Sequence, residues 1–175
     1  NLAVSFFNEK DYQSFFTHIR PSIELICKLI ILDNVGDNED GHAVLDGHQS
    51  ISGGRGVDYV LKDKSGPCPT GSALASVAQN ALFYGHRELQ GMYLDDEKKR
   101  TKKGIENYRG VLKQLYSVAS ELGSHTGNSQ LSLESQANFC AAFFEGYFDF
   151  LKTNRLLSDI STHFLSGLDA FSSDN

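Results

Sequence analysis

The sequence predicts an all-α fold: a four- to five-helix bundle interrupted by a long Gly/Asp-rich insertion at about residues 36–70. Three observations carry this expectation. Apolar residues recur at three- and four-residue intervals in four stretches, glycine and capping residues stand at the ends of those stretches, and residues 36–70 break the pattern with glycine, aspartate and proline. A chain of 175 residues is long enough for one domain with its own core and short for two, so residues 1–175 are read as a single helical domain.

The first stretch is Tyr12, Phe16, Ile19, Ile23, Ile26, Ile30, whose alternating steps of four and three lay one apolar stripe along a helix. Pro21 either kinks this helix or opens a new one near Arg20. The run Asp33-Asn34-Val35-Gly36-Asp37-Asn38-Glu39-Asp40-Gly41 ends it, because these residues favour turns over helix. Within the insertion, Val57-Asp58-Tyr59-Val60-Leu61 reads as a short strand after the flexible turn Ser52-Gly53-Gly54-Arg55-Gly56, which makes a short β-hairpin one option. A structureless loop of this length is unusual in a compact domain, so it carries a function, is partly ordered, or moves.

Residues 72–84 form a shorter helix with Leu74, Val77, Ala78, Ala81 and Leu82 on one face, Ser72 as N-cap and Gly85 as C-cap. The run Asp95-Asp96-Glu97-Lys98-Lys99-Arg100-Thr101-Lys102-Lys103 places acids before bases, as a helix N-terminal region favours, and feeds into a helix with Ile105, Tyr108, Leu112, Leu115, Ala119 and Leu122 in register. Gly123 stops that helix. Ser132 then caps a last long helix, with Glu134 in its first turn and Leu133, Ala137, Cys140, Phe144, Tyr147 and Leu151 on its stripe. Phe139, Phe143 and Phe150 widen this stripe toward a second neighbour.

Composition narrows the functional classes. With 16 basic and 22 acidic residues the net charge is -6, which opposes a broad hold on a phosphate backbone; RNA contact needs a local basic patch. The longest apolar run, residues 23–32, contains Glu24 and Lys28 and falls short of the ~20 residues that span a bilayer, so no membrane role is expected. No signal peptide is read, and the start at Asn1 fits a domain excised from a longer protein. Cys27, Cys68 and Cys140 are odd in number and form no Cys-x-x-Cys pair, and two of them sit in apolar helical patterns. This reads as a reducing, cytoplasmic compartment with no structural zinc and no cofactor.

His42 and His48 share the insertion with Asp37, Asp40 and Asp46, residue types that bind metals, but their spacing fits no motif and lacks the glutamate of an EF-hand. A solvated acidic loop is preferred and no metal is expected. The glycine-rich turn lacks the Lys-Ser or Lys-Thr ending of a phosphate loop. The basic run 98–103 reads as a solvated helix start, and becomes an RNA surface only if it shares a groove with the bend described next.

That bend, Glu121-Leu122-Gly123-Ser124-His125-Thr126-Gly127, gathers Ser124, His125, Thr126 and Asn128 between a helix C-terminus and a helix N-terminus. The first favours a protonated His125 and the second attracts phosphate or carboxylate. The plainer reading is that His125 bonds within the loop. Arg20 and Glu24, at i and i+4, read as an ordinary ion pair; the alternative is that they face the bend and orient His125.

The run Arg20-Pro21-Ser22-Ile23-Glu24-Leu25-Ile26-Cys27-Lys28, followed downstream by a helix closing in Gly123-Ser124-His125 and a final apolar helix, resembles the HEPN superfamily over roughly residues 5–32 and 102–157. The resemblance implies a bundle that is often dimeric and belongs to bacterial toxin-antitoxin, phage-defence or CRISPR-associated proteins. Many such proteins are metal-independent ribonucleases, with an arginine four to six residues before a histidine near the last long helix. His125 matches that histidine as the candidate catalytic residue. The arginine's place holds Val118, Ala119 and Ser120, and loss of the group that stabilises phosphate charge weakens catalysis severely.

The resemblance therefore implies a non-catalytic or divergent HEPN-like domain that mediates dimerisation, protein or RNA interaction in a defence or stress-response protein. Its partner is a second copy or another domain of the same protein. The alternative is an endoribonuclease using His125 with an arginine from elsewhere, such as Arg20, Arg87 or Arg109, and with Glu24, Ser124 and Asn128 binding or orienting.

Overall fold

The computed structural model describes residues 2–35, 51–52, 58–59, 72–124, 130–159 and 161–162, and it is the all-α bundle that the spacing predicts. Its helices are α1 (Leu2–Asn8), α2 (Tyr12–Val35), α3 (Ser72–Gly85), α4 (Asp96–Ser124) and α5 (Gln130–Thr153), with a 3-10 turn at Arg87–Gln90 ahead of α4. In the insertion, β1 (Ile51–Ser52) pairs antiparallel with β2 (Asp58–Tyr59), Ile51 opposite Tyr59.

Helix α1 is an addition to the sequence reading, since seven residues are too few to show a period. It packs on α2 through buried Ala3 and through Phe7, whose ring centroid lies 5.5 Å from that of Phe15. The chain reverses at Lys10, a non-glycine residue at φ 59°, and Asp11 then caps α2 by accepting the Ser14 N–H at 3.1 Å. From there α2 runs unbroken past Pro21. Proline lacks the N–H that would bond the Thr17 carbonyl, and both residues lie on the exposed side of the helix.

Helix α2 is the spine of the bundle and packs against each of the other four helices among the described residues. Its buried face, Phe15, Phe16, Ile19, Ile23, Ile26, Ile30 and Ile31, is the predicted stripe widened by residues one position away. Each such side chain contributes about 1.5–3 kcal/mol relative to its exposed state. Tyr12 reaches Glu134 at one end and Asn34 reaches the Leu156 carbonyl at the other, so α5 runs parallel to α2. Helix α4 runs antiparallel to both: Gln13 meets Leu122, and Thr101 meets Asn154.

Several helix ends differ from the sequence reading. Helix α5 starts at Gln130, so Ser132 lies inside its first turn rather than capping it, and Glu134 falls one turn in, where it accepts from Tyr12. Helix α4 continues through Gly123 to Ser124. Gly85 is the last residue of α3 without a left-handed φ; a Cβ there would stand 2.3 Å from Asn34 Oδ1, so close approach to α2 explains the glycine. Cys27 and Cys140 are buried, and burial pushes both thiols up to about 12, with Glu24 adding to the shift at Cys27; they behave as the small hydrophobes expected. Cys68 lies outside the described residues.

Candidate functional site

The bend opens where α4 ends at Ser124 and closes where α5 begins at Gln130; His125 and Asn128 lie outside the described residues, and so does the Ser124 side chain. Gln13 Nε2 donates to the Leu122 carbonyl at 2.6 Å, and Tyr12 Oη donates to Glu134 Oε1 at 3.3 Å. The first turn of α2 thus holds both helices that the bend connects. Burial, and then the neighbouring Glu134 carboxylate, raise the Tyr12 hydroxyl above its ordinary value. Sequence reasoning placed Tyr12 on the apolar stripe and passed over Gln13; a glutamine beside the stripe in a first helical turn was the available signal.

Arg20 and Glu24 form the ion pair that their spacing predicts, with Nε 3.7 Å from Oε1. A third residue completes the group. Tyr116 Oη of α4 donates to the same Glu24 oxygen at 3.0 Å, and the Arg20 guanidinium lies 5.1 Å from the centre of the Tyr116 ring. Burial and then the Glu24 carboxylate raise the Tyr116 hydroxyl. At ~1.5 Å of rise per residue, Tyr116 stands about 12 Å along α4 from Ser124. Arg20 and Glu24 are therefore brought together with each other and with Tyr116, a helix-to-helix link between α2 and α4. Tyr116 was missed because its partner lies 92 residues away in sequence.

The other cations stand farther off. Arg109, half-buried on α4, is about 22 Å along the helix from Ser124, and Arg87 lies beyond the opposite end of α4, over the Tyr84 ring. The basic run occupies the first two turns of α4, and its nearest member, Lys103, is about 31 Å along the helix from Ser124. Lys98 and Lys99 pair with Asp95 and Asp96 at 3.0 and 3.5 Å. The run is the solvated helix start that the sequence favours, and within one chain it does not share a groove with the residues flanking the bend.

An open groove of about 570 Å³ lies at that far end, lined by His86, Glu88, Asp95, Lys98, Asn154 and Arg155 among others, with both signs of charge mixed along it. Among the described residues no group of three His, Cys, Asp or Glu side chains is placed to hold a metal; His42 and His48 lie outside them. No helix among the described residues is long and apolar enough to cross a membrane.

Fold and geometry together define the class as an all-α bundle whose spine helix clamps both sides of an interhelical bend. No family model matches the chain, and neither a curated protein nor a solved structure matches it.

Proposed function

We propose that the chain is a non-catalytic, divergent HEPN-like domain that serves as an interaction module in a bacterial defence or stress-response protein, pairing with a second copy of itself. The observation that carries this reading is the aromatic seam of α5. Phe139, Phe143, Gly146 and Phe150 follow steps of four, three and four along one side of the helix. Tyr108 of α4 covers Phe143 and Phe150, with ring centroids 5.5 and 4.9 Å away, while Phe139 is 57% exposed. A phenylalanine left in water at the end of a continuous apolar seam is a natural anchor for a partner of matching surface.

Two features support the non-catalytic form of this reading over the endoribonuclease. The motif arginine is replaced by Val118, Ala119 and Ser120, and Arg20 is engaged by Glu24 and Tyr116. Sedimentation equilibrium tests the pairing: the wild type is expected to be a dimer at tens of micromolar, and Phe139→Lys a monomer of unchanged helix content. A wild type that stays monomeric sinks the self-association. In a parallel assay with single-stranded RNA and no added metal, the RNA is expected to remain intact. Cleavage that His125→Ala abolishes would establish the endoribonuclease instead, with an arginine supplied by another helix or subunit.

A further inference from the structure

Although the chain is acidic overall, three of its cations stand on one side of α4 without an ion-pair partner among the described residues. Lys102, Arg109 and Lys113 are separated by seven and four residues, which places them in one row along the helix. All three are half-buried, whereas Arg100 and Lys103, on another side of the same helix, are exposed. Among the described residues none of the three has a hydrogen-bond or ion-pair partner; Glu106, four residues after Lys102 and three before Arg109 on the same side of the helix, is exposed and pairs with none of them.

The row continues into Tyr116, three residues past Lys113, where it meets Arg20, whose charge is already paired with Glu24. Arg20 lies over the Tyr116 ring, held by Glu24, with 49% of its side chain exposed. From Lys102 to Tyr116 the row covers about 21 Å, or four helical turns. Long cationic side chains in such a setting lay their stems on apolar surface and keep their heads toward water. A row of like charges repels itself, and a ligand bearing carboxylates relieves that repulsion while covering the stems.

We propose that this row is the docking face for an acidic protein segment, with carboxylates spaced to meet Lys102, Arg109 and Lys113 and an apolar group set against the Tyr116 ring. Charge complementarity selects this occupant over a nucleic acid. A chain of net charge -6 repels a dense polyanion at long range, and three cations release few counterions. An acidic peptide carries less charge per length and adds apolar contact. This face is distinct from the Phe139 seam, so loss of peptide binding and loss of dimer are read separately.

The test is fluorescence anisotropy of a labelled peptide of about sixteen residues alternating glutamate and alanine, with a single-stranded RNA of about twenty nucleotides as the competing arm, on the whole 175-residue chain. Wild type is expected to bind the peptide, with affinity falling as salt rises. The variant Lys102→Glu/Arg109→Glu/Lys113→Glu is expected to bind at least about tenfold more weakly. The charge-matched variant Arg100→Glu/Lys103→Glu/Arg155→Glu is expected to bind within about twofold of wild type, because those exposed side chains lie off the row. No binding by wild type, equal loss in the two variants, or tighter binding of RNA than of peptide would each overturn the proposal. Should circular dichroism show the row variant unfolded, Arg109→Gln and Lys113→Gln are measured singly; each is expected to weaken binding about threefold, and unchanged affinity in both overturns it.

Discussion

The two ends of the bundle are held by different means. Where α4 begins, helices meet with no room to spare: a Cβ on Gly85 would strike Asn34, and one on Gly104 would stand 2.3 Å from the Phe150 ring. Short polar ties reinforce this end, with Thr101 donating to Asn154 at 2.8 Å and Asp33 accepting from the Ser158 N–H and the Ser161 hydroxyl. Where α4 gives way to α5, long side chains make the links instead, namely Gln13 to the Leu122 carbonyl, Tyr12 to Glu134, and Tyr116 to Glu24. Of the residues that the sequence marks for chemistry, Arg20 and Glu24 take part in these links, whereas Arg109 and Arg87 stand toward the other end. Shape complementarity fixes one end and replaceable hydrogen bonds fix the other, so the two should answer differently to substitution.

The largest effect is expected at the packed end. Gly104→Val forces the Phe150 ring aside, and that ring is already set against Tyr108 at 4.9 Å, so overpacking should cost about 1–3 kcal/mol in urea unfolding. Gly110→Val on the same helix is the control. Nothing lies within 4 Å of a Cβ at Gly110, so its stability should stay within about 0.5 kcal/mol of wild type. Equal losses at the two positions would mean that helix propensity, not the contact with Phe150, decides.

Next in size is Tyr116→Phe, which removes a hydrogen bond to the Glu24 carboxylate and should cost about 1.5 kcal/mol. The same contact has a pH signature. The Tyr116 hydroxyl is raised by burial and by Glu24, so its stabilisation is complete below its ordinary value of 10.0 and is lost as pH rises through the higher folded value. Alkaline unfolding followed by tyrosinate absorbance should therefore be less steep in the phenylalanine variant. Gln13→Ala follows at about 1 kcal/mol, for loss of a neutral hydrogen bond to the Leu122 carbonyl. If Gln13→Ala cost as much as Gly104→Val, the distinction between the two ends would fail.

This difference also explains what could be read from the sequence. The stripes of α2, α4 and α5 were legible because burial of one helix face imposes a period that the sequence must keep, and the pair Arg20 and Glu24 was legible because i and i+4 are neighbours on any helix. Gly104 carried no such signal, since periodicity names the face a residue occupies and not the ring across from it. Tyr116 and Gln13 were hidden for the same reason: their partners belong to other helices, and only the crossing of α2 and α4 brings them within reach. Ser132 and Glu134 misled because they resemble a helix start, while α5 gains a further half turn from Gln130 onward.

The smallest expected effect compares the two ends through their helix caps. Asp95 caps α4 at the packed end and Asp11 caps α2 at the other. The Asp95 carboxyl is held below its ordinary value of 3.8 by the Lys98 backbone N–H and then the Lys98 ammonium, and the Asp11 carboxyl is lowered by the Ser14 hydroxyl and backbone N–H. For a depressed carboxylate the stabilisation is complete above the ordinary value and disappears as pH falls through the lower folded value. Melting temperatures between about pH 5 and 2 should therefore fall less steeply in Asp95→Asn and in Asp11→Asn than in wild type. The flattening should be greater for Asp95→Asn, because Asp95 also loses its contact with Lys98 Nζ at 3.0 Å, and added salt should shrink that excess since the pair is exposed. An excess that persists at high salt would mean that the packed end senses the α4 cap through its helix contacts and not through the ion pair.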